Sequence, residues 1–270
     1  MQALKFKEFM ASTDLSTIDK LIFDFNNLSK QQVKLIPQFF KKIAQCNNLK
    51  YLFLDNIHGP EVPELIEFSN YIATCQSIEE LFLDFCYKNI DDLTLPDILK
   101  FLPSLKCLKF FEIYLQNNNI TANGIQLLGN LIIECKYIEQ LCLQLGSNQI
   151  GNEGLFSICN EFQYLNNLTN LTLYAYNNQI NDEGISGAGF GLFKCKNLKY
   201  LDIDFTLNDI TDKGALELVK YISKFNSLAF LKIYMMDCNI KFPKNLIKVL
   251  KKTKLLARLV ALFISDKNVI

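Results

Sequence analysis

Arginine is almost missing from this chain: Arg258 is the only one among 28 basic residues. Bidentate guanidinium recognition of phosphate is therefore nearly unavailable. Tryptophan is absent, and histidine occurs once, as His58. The segment around it, HGP, reads as a loop, and nothing in the sequence supplies the geometry of a Cys–His nucleophile pair. The 28 acidic residues cancel the 28 basic ones, so no overall field steers the chain toward nucleic acid or another polyanion. No stretch approaches the roughly 18–20 apolar residues needed to span a bilayer. The opening MQALKFKEFMASTD carries lysines but no apolar segment of signal-peptide length. There is no glycine motif of the kind that cradles phosphate and no cysteine cluster with zinc spacing. These absences lead us to expect no catalysis, no cofactor, no metal and no transmembrane segment.

Half of the 270 residues are hydrophobic, which is ample for a large core. Nine cysteines, an odd number, without a secretion signal imply a reducing, cytoplasmic setting and free thiols. The N-x-S/T matches at Asn27, Asn119, Asn167 and Asn170 then read as chance in an Asn-rich chain.

What is present is a repeat. The phrases IDKLIF from Ile18, LKYLFL from Leu49, IEELFL from Ile78, LKCLKF from Leu105, IEQLCL from Ile138, LTNLTL from Leu168, LKYLDI from Leu198 and LAFLKI from Leu228 all read L-x-x-L-x-L, with a weaker copy, LVALFI, from Leu259. Taking the first apolar residue of each as its anchor, the steps are 31, 29, 27, 33, 30, 30, 30 and 31 residues. A fixed period of this length is the mark of a solenoid. Three places before the anchors stand Leu15, Cys46, Cys75, Leu102, Cys135, Leu165, Cys195, Phe225 and Leu256. Cysteine alternates with leucine and phenylalanine in one slot, so these thiols read as small core hydrophobes.

The second half of the repeat carries a family resemblance. NNNITANG at 117–124, SNQIGNEG at 147–154, NNQINDEG at 177–184 and LNDITDKG at 207–214 resemble the leucine-rich repeat family, in its long, ribonuclease-inhibitor-like class. The resemblance covers about residues 15–265. It implies an α/β solenoid, a horseshoe of about nine strand–helix repeats with a parallel sheet on the concave face and helices on the convex face. One domain is expected over 1–270: an N-terminal cap at 1–17, repeats over 18–240, and a capping helix with the last strand at 241–270.

The spacing departs from the family's. Asn and the next apolar residue lie ten and twelve places after the anchor, as in Asn148 and Ile150, Asn178 and Ile180, Asn208 and Ile210, rather than eight and ten. Two residues are one strand period, so each strand is expected to gain one inward–outward pair. The added inward position holds Phe25, Phe85, Leu145, Ala175, Phe205 and Met235. The Leu105 copy has three extra residues and is expected to bulge. The asparagines are expected to bond neighbouring backbone as a ladder. Asp182, Asp212 and Asn152 are expected helix N-caps, and glycine-rich ISGAGFGLF at 185–193 the weakest helix.

Candidate binding residues are those the core does not use, two, four, six and eight places after each anchor. The sixth position reads Asp24, Asp55, Asp84, Phe111, Gln144, Tyr174, Asp204, Tyr234. Three aspartates on consecutive strands, spaced about 4.8 Å apart, offer a docking strip for lysine or arginine; the alternatives are a solvated face with splayed side chains and a divalent-metal site. The other outward positions bring Tyr51, Phe53, Phe82, Tyr176, Tyr200, Phe230 and Phe263 to the same face. An aromatic stripe of this kind marks an interaction surface. The segment KFPKNLIKVLKKTKLLARL, 241–259, is basic throughout and reads first as a cap, with a membrane surface or nucleic acid as the alternative. The expected function is a non-catalytic protein–protein scaffold whose partner presents a basic or mixed basic and apolar segment. The composition resembles that of AT-rich genomes such as those of ciliates, which suggests a cytoskeletal or ciliary assembly. A regulatory or sensor repeat module, and an activator of a small GTPase with Arg258 as its finger, remain as alternatives.

Overall fold

The structure is a computed structural model and describes residues 6–57, 60–251 and 258–262, the last five by their backbone. His58, Phe263, Leu255 and Leu256 lie outside the described residues. The strands are β1 (Lys20–Asp24), β2 (Tyr51–Asp55), β3 (Glu80–Asp84), β4 (Phe110–Tyr114), β5 (Gln140–Gln144), β6 (Asn170–Tyr174), β7 (Tyr200–Asp204), β8 (Phe230–Tyr234) and β9 (Arg258–Leu262). The helices are α1 (Phe6–Ala11), α2 (Lys30–Val33), α3 (Ile36–Ile43), α4 (Val62–Ile72), α5 (Thr94–Leu99), α6 (Ala122–Ile132), α7 (Gly151–Glu161), α8 (Asp182–Phe193), α9 (Asp212–Ile222) and α10 (Pro243–Leu250). All nine strands form one parallel sheet in chain order, β1 to β9. A helical segment separates each strand from the next, so the chain is a strand–helix solenoid in which each turn rests on its neighbours.

Alternation along each strand sorts the side chains. Leu52 and Leu54 on β2, Leu171 and Leu173 on β6, and Leu231 and Ile233 on β8 point inward and are fully buried. The helices cover that side through residues at helical spacing, such as Leu65, Phe68 and Ile72 on α4 and Ala215, Leu218 and Ile222 on α9. The slot before each anchor is buried from Leu15 through Cys46, Cys75, Cys135, Leu165 and Cys195 to Phe225. At the N-terminal end Phe6 and Phe9 of α1 pack on Phe39, at ring distances of 5.4 and 5.0 Å. At the other end Leu246 and Leu250 of α10 are buried.

Two registers differ from expectation. Phe111 pairs with Leu81, and Tyr114 with Asp84. The fourth anchor is therefore Leu108, three residues after Leu105, and the steps from Ile78 to Leu108 and on to Ile138 are both 30. β4 pairs regularly with both neighbours and has no bulge. Phe111 is an inward core residue, and Tyr114 holds the outward place assigned to it. The sequence offered two frames because Leu102, Leu105 and Leu108 are spaced by three; the frame that buries Phe111, Ile113 and Leu115 wins. Likewise Leu259 pairs with Leu231, not Leu228, so the last copy is also shifted by three.

The lengthened strand is present as pairing. Phe85 N donates to Tyr114 O and Tyr87 N to Gln116 O, and the same two bonds recur from Leu115 and Asn117 to the next turn. The added inward residues Phe85, Leu145, Ala175, Phe205 and Met235 are fully buried. The extension ends at a left-handed residue nine places after the anchor: Tyr87, Asn117, Ser147, Asn177, Leu207 and Asp237 all have φ between 51° and 58°.

Two ladders bind the turns. In the first, Asn118, Asn148, Asn178 and Asn208 are buried. Asn208 Nδ2 donates to Ala175 O (3.0 Å) and Phe205 O (2.9 Å), while its Oδ1 accepts from Asn178 N (2.9 Å) and Ile180 N (3.0 Å). Cys238 takes this place in the following turn, its thiol donating to Phe205 O. The second ladder lies at the helix starts. The caps there are Thr121, Asn181 and Thr211, not the residues expected. Asp182 and Asp212 open their helices and reach forward instead: Asp182 accepts from Thr211 N and Oγ1, both at 2.7 Å, and Asp212 from Lys241 N and Phe242 N. Asn152 exchanges two bonds with Asn181. That approach explains the glycine in the Asp/Asn-x-Gly phrase, since a Cβ on Gly214 would lie 2.4 Å from Asp182 Oδ1.

The glycine-rich segment is a full 12-residue helix, α8. A Cβ on Gly191 would meet the α7 backbone at 2.8 Å, and one on Gly189 the Tyr221 ring at 3.0 Å. Its glycines allow close helix packing that offsets their low propensity.

Two stability outcomes follow. Asn178→Ala strips bonds from buried groups that each cost about 1–3 kcal/mol when left unpaired, and we expect a loss of about 3 kcal/mol, read as a lower urea midpoint at unchanged slope. Leu207 is 53% exposed at φ 58°, a conformation its side chain disfavours and no burial repays; Leu207→Asn is expected to raise stability by about 1 kcal/mol in the same assay.

Candidate functional site

The sheet face turned away from the helices is the surface left to function. Register places Tyr51, Phe53, Phe82, Tyr174, Tyr200, Phe230 and Tyr234 on it, each half-buried. The aromatics form two groups rather than one stripe. On β2–β4, Phe53 lies 6.3 Å from Phe82, which makes a T-shaped pair with Tyr114 at 4.9 Å between ring centres. Lys20 Nζ approaches Tyr51 and Phe53 at 5.6 and 5.9 Å. On β7–β8, Tyr200 and Phe230 stack at 4.6 Å with planes 6° apart. Between the groups, β5 and β6 present Gln140, Gln144, Asn170 and Thr172. Tyr176 lies beyond the end of β6 over Gly146, where a Cβ would meet its ring at 2.2 Å.

The four aspartates do not form a uniform acidic strip. Asp24 is exposed, Asp55 and Asp204 are half-buried, and Asp84 is buried. Asp24 Oδ1 accepts from Asn26 N, Asp84 Oδ1 from Cys86 N and Asp204 Oδ1 from Thr206 N, each at 2.9 Å. Each carboxylate thus closes the turn at its own strand exit. Asn56 links two of them, donating from Nδ2 to Asp24 and from its backbone to Asp84, both at 3.2 Å. Asp55 stands opposite Asp24 in register.

The position four after the anchor holds residues the sequence reading passed over: Glu112, Cys142, Thr172, Asp202 and Lys232 on successive strands. Asp202 is 2% exposed although it faces outward. Its Oδ2 accepts from Lys232 Nζ (3.1 Å) and from the Tyr200 hydroxyl (3.0 Å). Its Oδ1 is enclosed and accepts nothing. Burial, and then the Asp202 charge, push the Tyr174 hydroxyl well above the ordinary tyrosine range. Burial and Glu112 do the same to Tyr114. The only available signal was a single Asp in LKYLDI, in a column with no repeated residue type.

The buried and half-buried thiols are chemically quiet. Burial pushes Cys46 and Cys75 up to about 11 and Cys135 and Cys195 up to about 12. On the open face, burial followed by a hydrogen bond and charge from Asp84 take Cys86 to about 12. Thiolate is the reactive form, so none of these is activated near neutral pH. Among the described residues no group of three or more His, Cys, Asp or Glu side chains is placed to hold a metal ion, and there is no recognisable active site. No described helix is long and apolar enough to cross a membrane. Arg258 begins β9, and its side chain is outside the described set. On the helical side a groove of about 530 Å³ lies between the starts of α8 and α9, lined by Glu183, Asp209, Lys213 and Glu217 among others.

Comparison with known proteins agrees with this architecture. A family model described as Leucine Rich repeat matches residues 141–159 and 194–219, so the chain carries that family's signature over part of its length. No curated protein matches it. Of 96 matching solved chains, one is leiomodin-1 actin-binding site 2, at 18% identity and a TM-score of 0.45, covering 60% of this chain and 87% of that one. At that score the likeness says nothing further about this chain.

Thiol labelling tests the assignment of the cysteines. Cys107 is exposed, and we expect it to react first with a disulfide reagent at neutral pH, while Cys46, Cys75, Cys135, Cys159 and Cys195 react only after urea unfolding.

Proposed function

We propose that this protein is a leucine-rich repeat scaffold of the long, ribonuclease-inhibitor-like class that binds a partner protein on its open, concave sheet face. The observation that carries the reading is the pair of aromatic groups, Phe53–Phe82–Tyr114 and Tyr200–Phe230, held half-exposed on a sheet face that no helix covers. Rigid aromatics on a preformed surface give contact area at little ordering cost. The partner segment we infer is apolar with basic residues, which suits the exposed Asp24 and neighbouring Asp55 at one end of the face. The contact set is Tyr51, Phe53, Phe82, Tyr174, Tyr176, Tyr200, Phe230 and Tyr234, with Asp24, Asp55, Asp84 and Asp204 behind it. A single domain with caps at 1–17 and 241–270 fits this role. Free thiols suit a cytoplasmic setting, and the composition suits a cytoskeletal or ciliary assembly.

Affinity purification with the immobilised chain tests the reading. Phe53→Ala/Phe82→Ala and Tyr174→Ala/Tyr234→Ala are each expected to reduce recovery of a specific partner at least tenfold, while Phe190→Ala on the helical side leaves it unchanged. Melting curves establish that each variant is folded. Full retention by both aromatic variants overturns the proposal.

A further inference from the structure

We propose that Asp202 is a socket for one cationic side chain of the partner, a lysine ammonium or an arginine guanidinium donating to its unused Oδ1. This rests on the sheet face being the binding surface and names the chemistry of one contact on it.

Carboxylates that brace a neighbouring turn use both oxygens, while Asp14, Asp24, Asp91 and Asp204, which are exposed or half-buried, accept through Oδ1 alone. Asp84, Asp182 and Asp212 each use both oxygens: Asp84 accepts from Cys86 N and Asn56 N, Asp182 from Thr211 N and Oγ1, and Asp212 from Phe242 N and Lys241 N. Asp202 is more deeply buried than any of these, yet both donors at hydrogen-bond distance converge on Oδ2; the Tyr174 hydroxyl, which feels the Asp202 carboxylate through charge and hydrogen bonding, makes no bond of that geometry to Oδ1. Among the described residues it is the only carboxylate with a buried oxygen left in that state. Buried polar atoms are rarely unpaired without a reason.

The surroundings select the missing donor. Asp202 belongs to an outward position of β7, with Thr172 opposite on β6 and Lys232 on β8, so Oδ1 lies under the binding face and not in the core. The neighbourhood already accommodates one ammonium: Lys232 Nζ sits 3.1 Å from Oδ2 and 5.5 Å from the centre of the Phe230 ring. A carboxylate beside stacked aromatic faces is a strong setting for a second cation. Lys232 already balances the Asp202 charge, so what Oδ1 lacks is a donor, and the stacked faces of Tyr200 and Phe230 favour a cationic one over a neutral one. Tyr174, half-buried and coupled to the Asp202 carboxylate, is the side chain whose rotation would open Oδ1 to a ligand, a fast change for a surface ring.

The test observes tyrosine ring signals of the full chain by NMR while adding N-acetyl-lysine methylamide, N-acetyl-arginine methylamide or N-acetyl-norleucine methylamide. Saturable shifts at Tyr174 and Tyr200 are expected with a cationic amide and not with norleucine, and the two cationic arms show which cation fits. Asp202→Asn is expected to weaken the response at least tenfold. Should that variant fail to fold, Thr172→Lys supplies a tethered ammonium across the strand pair; it is expected to raise the melting temperature and abolish the response to added amide. Equal shifts with norleucine, an undiminished response in Asp202→Asn, no saturable shift at all, or a lower melting temperature for Thr172→Lys each overturn the socket. An ordered water as the only occupant shows as absence of any saturable shift. Partner capture separates the two levels: if Asp202→Asn keeps every partner that Tyr174→Ala/Tyr234→Ala loses, the socket fails and the scaffold stands. If the aromatic variant also keeps them, the scaffold reading fails.

Discussion

The buried asparagine column is the interaction on which the rest of the structure depends. Each of its amides closes its own strand exit and that of the turn before. Asn118, for example, donates to Leu115 O and Phe85 O and accepts from Lys88 N and Ile90 N. The exit loop of one turn is thus completed by a side chain of the next. No turn satisfies its own backbone alone, so the register of successive strands is fixed by polar geometry as well as by packing. The column runs through four turns and gives way to Lys88 on one side and Cys238 on the other. A thiol can donate to one carbonyl but cannot reproduce the four bonds of an amide. Cohesion is therefore greatest across the central turns, and the ends rely more on packing, the phenylalanine cluster of α1 and α3 at one end and α10 at the other.

Much of this was legible in the sequence because the signal repeats. Leu, Ile and Cys in fixed slots announced the solenoid, and Asn at a constant place announced the ladder. Misreading arose where two frames fit one pattern. Leu102, Leu105 and Leu108 satisfy an L-x-x-L template in either register, and only the burial of Phe111, Ile113 and Leu115 together decides. Asp182 and Asp212 misled for another reason. Aspartate is a good N-cap, but here Asn181 and Thr211 cap, and the aspartates brace the following turn, a contact between residues about 30 positions apart that no local rule reveals.

The functional face was harder to read because its residues do not repeat. Alternation told which side chains point out, and the aromatics were found that way. Asp202 was not, since one aspartate in a mixed column carries no periodic signal; its significance lies in burial and in the neighbours Tyr200 and Lys232, all consequences of stacking. The acidic strip shows the converse. Its aspartates drew attention because they recur, yet the structure gives Asp24, Asp84 and Asp204 local work at strand exits.

That local work does not explain why the residues differ from turn to turn. The backbone bonds following the sixth position are the same whatever occupies it: Phe85 N donates to the carbonyl of Tyr114, Leu115 N to that of Gln144, Ala175 N to that of Asp204 and Phe205 N to that of Tyr234. Aspartate adds a turn-closing bond, but turns with tyrosine or glutamine there keep the same ladder. The fold therefore tolerates either kind of residue at this position, whereas it keeps an apolar residue one place earlier and, in every turn from β3 to β8, one place later. A position the architecture leaves free, on the face no helix covers, holds Asp at the first three strands and then Tyr, Gln, Tyr, Asp and Tyr on β4 to β8. The sequence of that column is chemical information the scaffold does not require, and it is oriented toward whatever the sheet meets.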